Sequence, residues 1–320
     1  MGLLENGVWR DKPREPGKKG EFVRKDAQLR NWVGKGGEFP PESGRYHLYV
    51  SYACPWAHRT LIFRKLKGLA DHISFSVVHP LMLENGWELT TDFEGATGDP
   101  VNGFTYLHQV YTANDPAYTG RVSVPVLWDR KTGRIVSNES AEIIRMLNSE
   151  FDDLTGNTDD YYPEDLRNEI DLVNERVYET VNNGVYRSGF ARTQDAYEEA
   201  VTELFDTMDW LEDRLSKQRY LAGDRVTEAD WRLFPTMIRF DHVYHGHFKC
   251  NRNRLIEFPN LFGLTRELYQ WPGVAETVNM EHIRWHYYYS HPWVNPTRVV
   301  SIGPEIDFGA PHGRERLKAA

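Results

Sequence analysis

The stretch from Arg45 to Val78 constrains this chain more than any other. Tyr46-His47-Leu48-Tyr49-Val50-Ser51 is rich in β-formers and reads as a strand. A short turn follows, and Pro55 opens a helical run, Trp56-Ala57-His58-Arg59-Thr60-Leu61-Ile62-Phe63, that stops at Gly68. Ile73 to Val78 reads as a second strand. Strand, helix and strand in that order predict a parallel pair joined by a right-handed crossover. A cysteine, Cys54, stands at the junction of the first strand with the helix.

The rest of the chain extends this unit in two directions. Residues 79–120 form a long irregular insertion, and a stretch of that length inside a domain is often a functional loop. Arg121 to Trp128 reads as a third strand interrupted by Pro125, which belongs at an edge, a bulge or a cis turn. Arg134 to Val136 is a short fourth strand, and Ser137-Asn138-Glu139-Ser140 leads into an amphipathic helix. Beyond about residue 155 helices dominate, with one expected from Pro163 to near Tyr186, one over 194–217, one from Thr227 and one over 260–270. Thr227-Glu228-Ala229-Asp230 is a capping-box-like start with Asp in the place of the usual Glu. The predicted fold is a thioredoxin-like α/β domain followed by an all-helical domain. The expected boundaries are an N-terminal arm over 1–44, pinned by Trp9, Phe22 and Trp32, the thioredoxin-like domain over 45–155 with its insertion at 79–120, the helical domain over 156–290, and an extended tail over 291–320.

Composition narrows the function. The 320 residues suit two domains at roughly 100–200 residues each. No apolar run reaches the ~18–20 residues needed to span a bilayer, and the first twenty residues lack the apolar core of a secretory signal. The net charge is -9, and residues 150–230 alone carry 22 acidic against 8 basic side chains, which repels phosphate backbones and argues against a nucleic-acid partner. Two cysteines, Cys54 and Cys250, cannot build a disulfide scaffold, so the expectation is a reduced cytoplasmic protein.

Cys54 directly precedes Pro55, so it stands at the N-cap of the first helix, where unpaired backbone N–H groups and the helix dipole stabilise a thiolate. A lone cysteine is often only a small buried apolar side chain, but the strand-to-helix junction favours reactivity. In Cys54-Pro55-Trp56-Ala57 the second position of a dithiol pair is Ala57, so the site can form a mixed disulfide with a small thiol but cannot close an internal bond. Val124-Pro125 would supply the cis proline of a thioredoxin-like site, whose preceding residue pairs with an extended peptide. Glu139 and Ser140 at the next helix start bring a carboxylate, a hydroxyl and amide donors, which suit the ammonium and carboxylate of a γ-glutamyl group. Asn182-Asn183-Gly184-Val185-Tyr186, with Tyr244, Tyr287, Tyr288 and Tyr289, makes a tyrosine-rich second half. His242, His245, His247 and Cys250 have the residue types of a zinc site but lack a paired cysteine motif, and a solvated helix end is the simpler reading, so no metal is expected.

YHLYVSYACPWAHRTLIFRKLKGL, PLMLENGW, GRVSVPVLWD, IVSNESAEIIRM and TVNNGVY together resemble the glutathionyl-hydroquinone reductases, the Xi class of the glutathione transferase superfamily. The resemblance runs from Gly7-Val8-Trp9 to Ser301-Ile302-Gly303-Pro304. It implies that an S-glutathionyl hydroquinone and glutathione give the hydroquinone and glutathione disulfide. It further implies Cys54 as the nucleophile and Tyr186 as the general acid, with Tyr244 and Tyr287 hydrogen-bonding the thiolate. Trp87, Arg121, Val122, Ser123, Val124, Glu139 and Ser140 would hold glutathione. A homodimer is implied as well. Two other functions remain open at this point: a monothiol, dehydroascorbate-reducing transferase, and a ligand-binding module that keeps the transferase fold without turnover.

Overall fold

The computed structural model describes residues 2–318, which fall into two compact units. Among the described residues the first comprises 2–14, 25–159 and 277–290, and the second 15–24, 160–276 and 291–318.

In the first unit, two short strands, β1 (Leu3–Glu5) and β2 (Val8–Arg10), open the chain. They are followed by β3 (Tyr46–Val50), α1 (Pro55–Leu66), β4 (Ile73–Val77), α2 (Leu107–Asn114), β5 (Gly120–Arg121), β6 (Val126–Asp129), β7 (Arg134–Ser137), α3 (Ser140–Ser149) and the single turn α4 (Asp152–Thr155). The main sheet has the order β4-β3-β6-β7, with β3 and β4 parallel and the other pairs antiparallel. The parallel β3–β4 pair is the one predicted from the β-α-β segment. All five residues of β3 are buried, as befits a strand covered on both faces. α1 and α3 pack together, and α3 buries Ile143, Ile144, Met146 and Leu147, each worth roughly 1.5–3 kcal/mol relative to exposure.

Three features differ from the sequence expectation. The segment 121–128 is not one strand: β5 pairs with β1 in a separate sheet of order β2-β1-β5, and only Val126–Asp129 joins the main sheet. A cis Val124-Pro125 bond lies between the two pieces. The N-terminal arm is partly β-structure, because its unpaired edge meets β5. Of the three proposed pins, Trp9 donates its indole N–H to the Glu84 carbonyl at 2.8 Å, Phe22 is buried, and Trp32, though 44% exposed, donates its indole N–H to Glu150 Oε1 at 3.3 Å.

The second unit is helical: α5 (Arg167–Val177), α6 (Gly184–Gly189), α7 (Gln194–Lys217), α8 (Glu228–Met237) and α9 (Pro259–Tyr269). Thr227 and Asp230 form the capping box of α8, and Asp230 also accepts from the Leu221 N–H at 2.8 Å. The helix expected from Pro163 to Tyr186 is interrupted. A π-helical turn over Tyr178–Asn182, closed by Asn183 N–H donating to the Tyr178 carbonyl, separates α5 from α6. A second π turn, Phe240–Tyr244, comes after α8. Each extra residue rotates the downstream helix by about 100°, so the simple 3.6-residue pattern does not carry through to Tyr186. Asn182 Nδ2 ties the first π turn to Thr236 Oγ1 of α8 at 2.8 Å.

A further helix, α10 (Met280–Ser290), belongs to the first unit although it comes after the helical region in sequence. Its periodicity is masked by His282, His286 and the Tyr287-Tyr288-Tyr289 run, and the last helix expected from sequence is the one over 260–270. No helix among the described residues is long and apolar enough to cross a membrane.

Candidate active site

Cys54 is the N-cap residue of α1, in an extended conformation, with Pro55 in the first helical turn. It is half-buried, and its Sγ lies 3.5 Å from the carbonyl oxygen of Val124, the residue before the cis proline. The thiol is therefore held between a helix N-terminus, which favours a thiolate, and the backbone that leads into β6. Neither cysteine is in a disulfide. Cys250 is fully buried, and burial pushes its thiol well above the ordinary range. Two basic side chains come in the next turn of α1. His58 is buried with Nε2 2.7 Å from Thr277 Oγ1, and Arg59 lies over the Trp56 ring with Nη1 3.4 Å from Ser140 Oγ.

Glu139 is the N-cap of α3, and its Oε1 accepts the Ala141 N–H at 3.0 Å. Capping thus falls to Glu139 rather than Ser140, and Ser140 is the first residue of the helix, with its hydroxyl met by Arg59. Two groups suited to a γ-glutamyl end therefore share one helix start with a guanidinium beside them. Val124 is buried, and Ser123 is fixed by Tyr111, whose hydroxyl donates to the Ser123 carbonyl at 2.8 Å. Val122 is partly exposed between Ser123 and β5. The Arg121 guanidinium donates to the carbonyls of Gly2 at 3.1 Å and Lys12 at 2.9 Å, so it secures the N-terminal arm. Trp87 is 7% exposed, and its ring stacks on His286 of α10 with centroids 4.8 Å apart. Tyr287, the next residue of α10, is buried with its ring edge-on to His286.

The second unit holds the other two tyrosines. Tyr186 lies in the first turn of α6 and Tyr244 closes the π turn after α8, with ring centroids 6.0 Å apart. The Arg24 guanidinium sits 5.1 Å above the Tyr186 ring and donates through Nε to Asn183 Oδ1 at 2.9 Å. Phe248 stacks on Tyr244. Both tyrosines thus adjoin π-helical turns, irregularities that recur at functional sites. The doublet Asn182-Asn183 ahead of Gly184 is the only trace of the first in the sequence.

The histidines and Cys250 do not converge. His242 stacks on Phe308, His247 pairs through Nε2 with His291 Nδ1 at 3.2 Å, and Cys250 lies near the Val185 carbonyl. Among the described residues no group of three or more His, Cys, Asp or Glu side chains is arranged to hold a metal ion. The sequence reading missed His282, His286 and Arg24, because each acts through a contact distant in sequence.

Comparison with known proteins places this geometry. Residues 53–150 match the model of the glutathione S-transferase N-terminal domain and residues 194–266 that of the C-terminal domain. Glutathionyl-hydroquinone reductase PcpF of Sphingobium chlorophenolicum is 56% identical over 305 residues, covering 95% of this chain and 96% of that protein. Glutathionyl-hydroquinone reductase YqjG of Escherichia coli (strain K12) is 54% identical over 98% of this chain and 99% of its own. The glutathione-bound structure of YqjG superimposes with a TM-score of 0.92 at 52% identity, over 98% of this chain and 99% of that one. A Xi-class transferase from Natrialba magadii does so with a TM-score of 0.93 at 51% identity, over 100% of this chain and 98% of that one. With both transferase domains matched, and with relatives of this identity along nearly its whole length, the chain belongs to the glutathionyl-hydroquinone reductases, the Xi class of the glutathione transferase superfamily.

Proposed function

We propose that the protein reduces S-glutathionyl-hydroquinones with glutathione, through a mixed disulfide on Cys54. The observation that carries this reading is the single thiol at the start of α1, beside the Val124 carbonyl, with Ala57 where a resolving cysteine would stand. A hydroxyl at that position would hold glutathione as its thiolate and favour conjugation, whereas a thiol favours exchange.

Two half-reactions make up the cycle. The Cys54 thiolate attacks the glutathionyl sulfur, an S–S bond forms, and the sulfur–aryl carbon bond breaks with its electron pair passing to the ring. Tyr186 gives its phenolic proton to that carbon, releasing the hydroquinone, and Tyr244 and Tyr287 support the Cys54 thiolate. A second glutathione then attacks the mixed disulfide, yielding glutathione disulfide and regenerating the Cys54 thiolate. Glutathione is held by Trp87, by the 121–124 segment, chiefly through its backbone, and by Glu139 and Ser140. On the same reading the enzyme works in the cytoplasm as a homodimer.

The test is a steady-state assay with a glutathionyl-hydroquinone such as glutathionyl-menadiol, run beside dehydroascorbate. Turnover of the first well above the second, abolished in Cys54→Ser, is the expected result. Preferential turnover of dehydroascorbate, or glutathione binding with turnover of neither, would replace this reading with one of the two alternatives.

A further inference from the structure

The insertion after β4 carries Trp87 and has no strand or helix of its own until α2; backbone bonds such as Leu89 N–H to the Thr105 carbonyl at 2.7 Å fold it, and a neighbouring element also ties it down. One face of α10 does so. His282, His286 and Ser290, spaced four apart and therefore aligned along the helix, each bond to the backbone of the insertion. His282 Nε2–H donates to the Glu94 carbonyl at 2.7 Å, and His286 Nδ1–H donates to the Pro80 carbonyl at 2.8 Å. The Met82 N–H donates to Ser290 Oγ at 3.0 Å. Each bonded ring nitrogen therefore carries a proton, because a carbonyl can only accept.

The contact is close and depends on glycine. Gly95 has φ +88°, and a Cβ there would lie 3.0 Å from His282 Nε2 and 3.1 Å from Asn279 Nδ2. On the other side of the loop the Trp9 indole donates to the Glu84 carbonyl, and a Cβ on Gly86 would meet the Trp9 ring at 2.7 Å. Trp87 lies between these ties. Its carbonyl accepts the Leu107 N–H at 2.9 Å, and its ring stacks on His286 at an interplanar angle of 22°.

We infer that α10 is the positioning element of the glutathione-binding loop, with His286 setting the plane of Trp87. This rests on the reading above that Trp87 contacts glutathione. His286 is a positioning residue: it acts through Trp87, its imidazole locked by Pro80 on one edge and stacked against the indole on its face. The same helix carries Tyr287, so one rigid element orients both a glutathione-binding side chain and a tyrosine assigned to the thiolate.

The test is a double-mutant cycle on the full-length enzyme, with glutathione KM and kcat measured for the wild type, Trp87→Leu, His286→Leu and the double variant. Each single change should raise KM by about three- to tenfold, the factor an aromatic stack of this kind is worth. Saturated kcat should stay within about twofold, since the contact serves ground and transition states alike. The double variant should be no worse than Trp87→Leu alone, because on this inference His286 acts on glutathione through Trp87. His286→Phe, which keeps a ring against Trp87 but loses the bond to Pro80, should recover most of the affinity. It also provides a second folded variant if His286→Leu is unstable. A raised KM in Trp87→Leu with unchanged KM in both His286 variants would overturn the inference alone. Multiplying effects in the double variant would do the same. An unchanged KM in Trp87→Leu would overturn the reading of Trp87 and the inference with it.

Discussion

Replacing Glu139 separates two tasks that one carboxylate performs. As the N-cap of α3, its Oε1 accepts the Ala141 N–H at 3.0 Å, a contact worth about 1 kcal/mol of stability. As the proposed partner of the glutathione ammonium it would form a charge-assisted hydrogen bond, worth about 1.5–3 kcal/mol. The side chain is half-buried, which keeps part of that interaction from solvent screening. Glu139→Gln keeps an acceptor for the cap and removes only the charge. It should raise the glutathione KM by about 5- to 15-fold, the ratio corresponding to the ~1–1.5 kcal/mol by which a charge-assisted bond exceeds a neutral one, with kcat within about twofold and urea stability nearly unchanged. Glu139→Ala should raise KM at least as much and also lower stability by about 1 kcal/mol through loss of the cap. Steady-state kinetics over a wide glutathione range, with urea unfolding of each variant, read both effects. A Glu139→Gln enzyme with unchanged KM, or with a large loss in kcat at unchanged KM, would refute the placement of the γ-glutamyl end at α3.

Brief treatment with oxidised glutathione should add one glutathionyl group, mapped to Cys54 by intact-mass and peptide analysis, because Cys250 is fully buried and its thiol is pushed up; dominant labelling at Cys250 would contradict the mechanism. Tyr186→Phe should slow release of the hydroquinone by about 100-fold or more while leaving reduction of the Cys54 mixed disulfide near normal, since only the first step protonates carbon. Single-turnover measurements of the two half-reactions check this, and equal slowing of both would move Tyr186 to a role in tuning the thiolate. Burial also holds His47 of β3 down at about 4 from an ordinary 6.5, with its ring nitrogens bonded to Ser74 and Ser76. The unfolded chain therefore takes up a proton before the folded one does as pH falls. Stability contributed by this group is complete above pH 6.5, declines by up to ~3 kcal/mol as pH falls to about 4, and declines no further below that. Urea midpoints across that window should show the slope, and His47→Gln should flatten it.

Much of the fold and its chemical centre could be read directly from sequence, because the signals are local. β-formers ahead of Cys54-Pro55 and a helical run specify a strand, a cap and a helix within a short stretch of chain. Glu139-Ser140 ahead of an apolar helix specifies a second helix start of the same kind, and Thr227 with Asp230 a third. The family motifs around them carried the remaining assignments. The surroundings of the Ser140 hydroxyl were not legible: Arg59 meets it across 81 residues of sequence. The division of 121–128 between two sheets likewise depends on β1, at the far N-terminal end of the chain. The first π turn has Asn182 reaching Thr236, a bond that no 3.6-residue period records. α10 shows the limit most clearly. Its sequence has histidines and tyrosines where an apolar stripe would announce a buried helix, because the face it buries is met by backbone carbonyls of the insertion, and polar rings satisfy those better than leucines. Local propensity and capping are short-range physics and are written in consecutive residues, whereas the partners of buried polar groups are chosen only once the chain has folded.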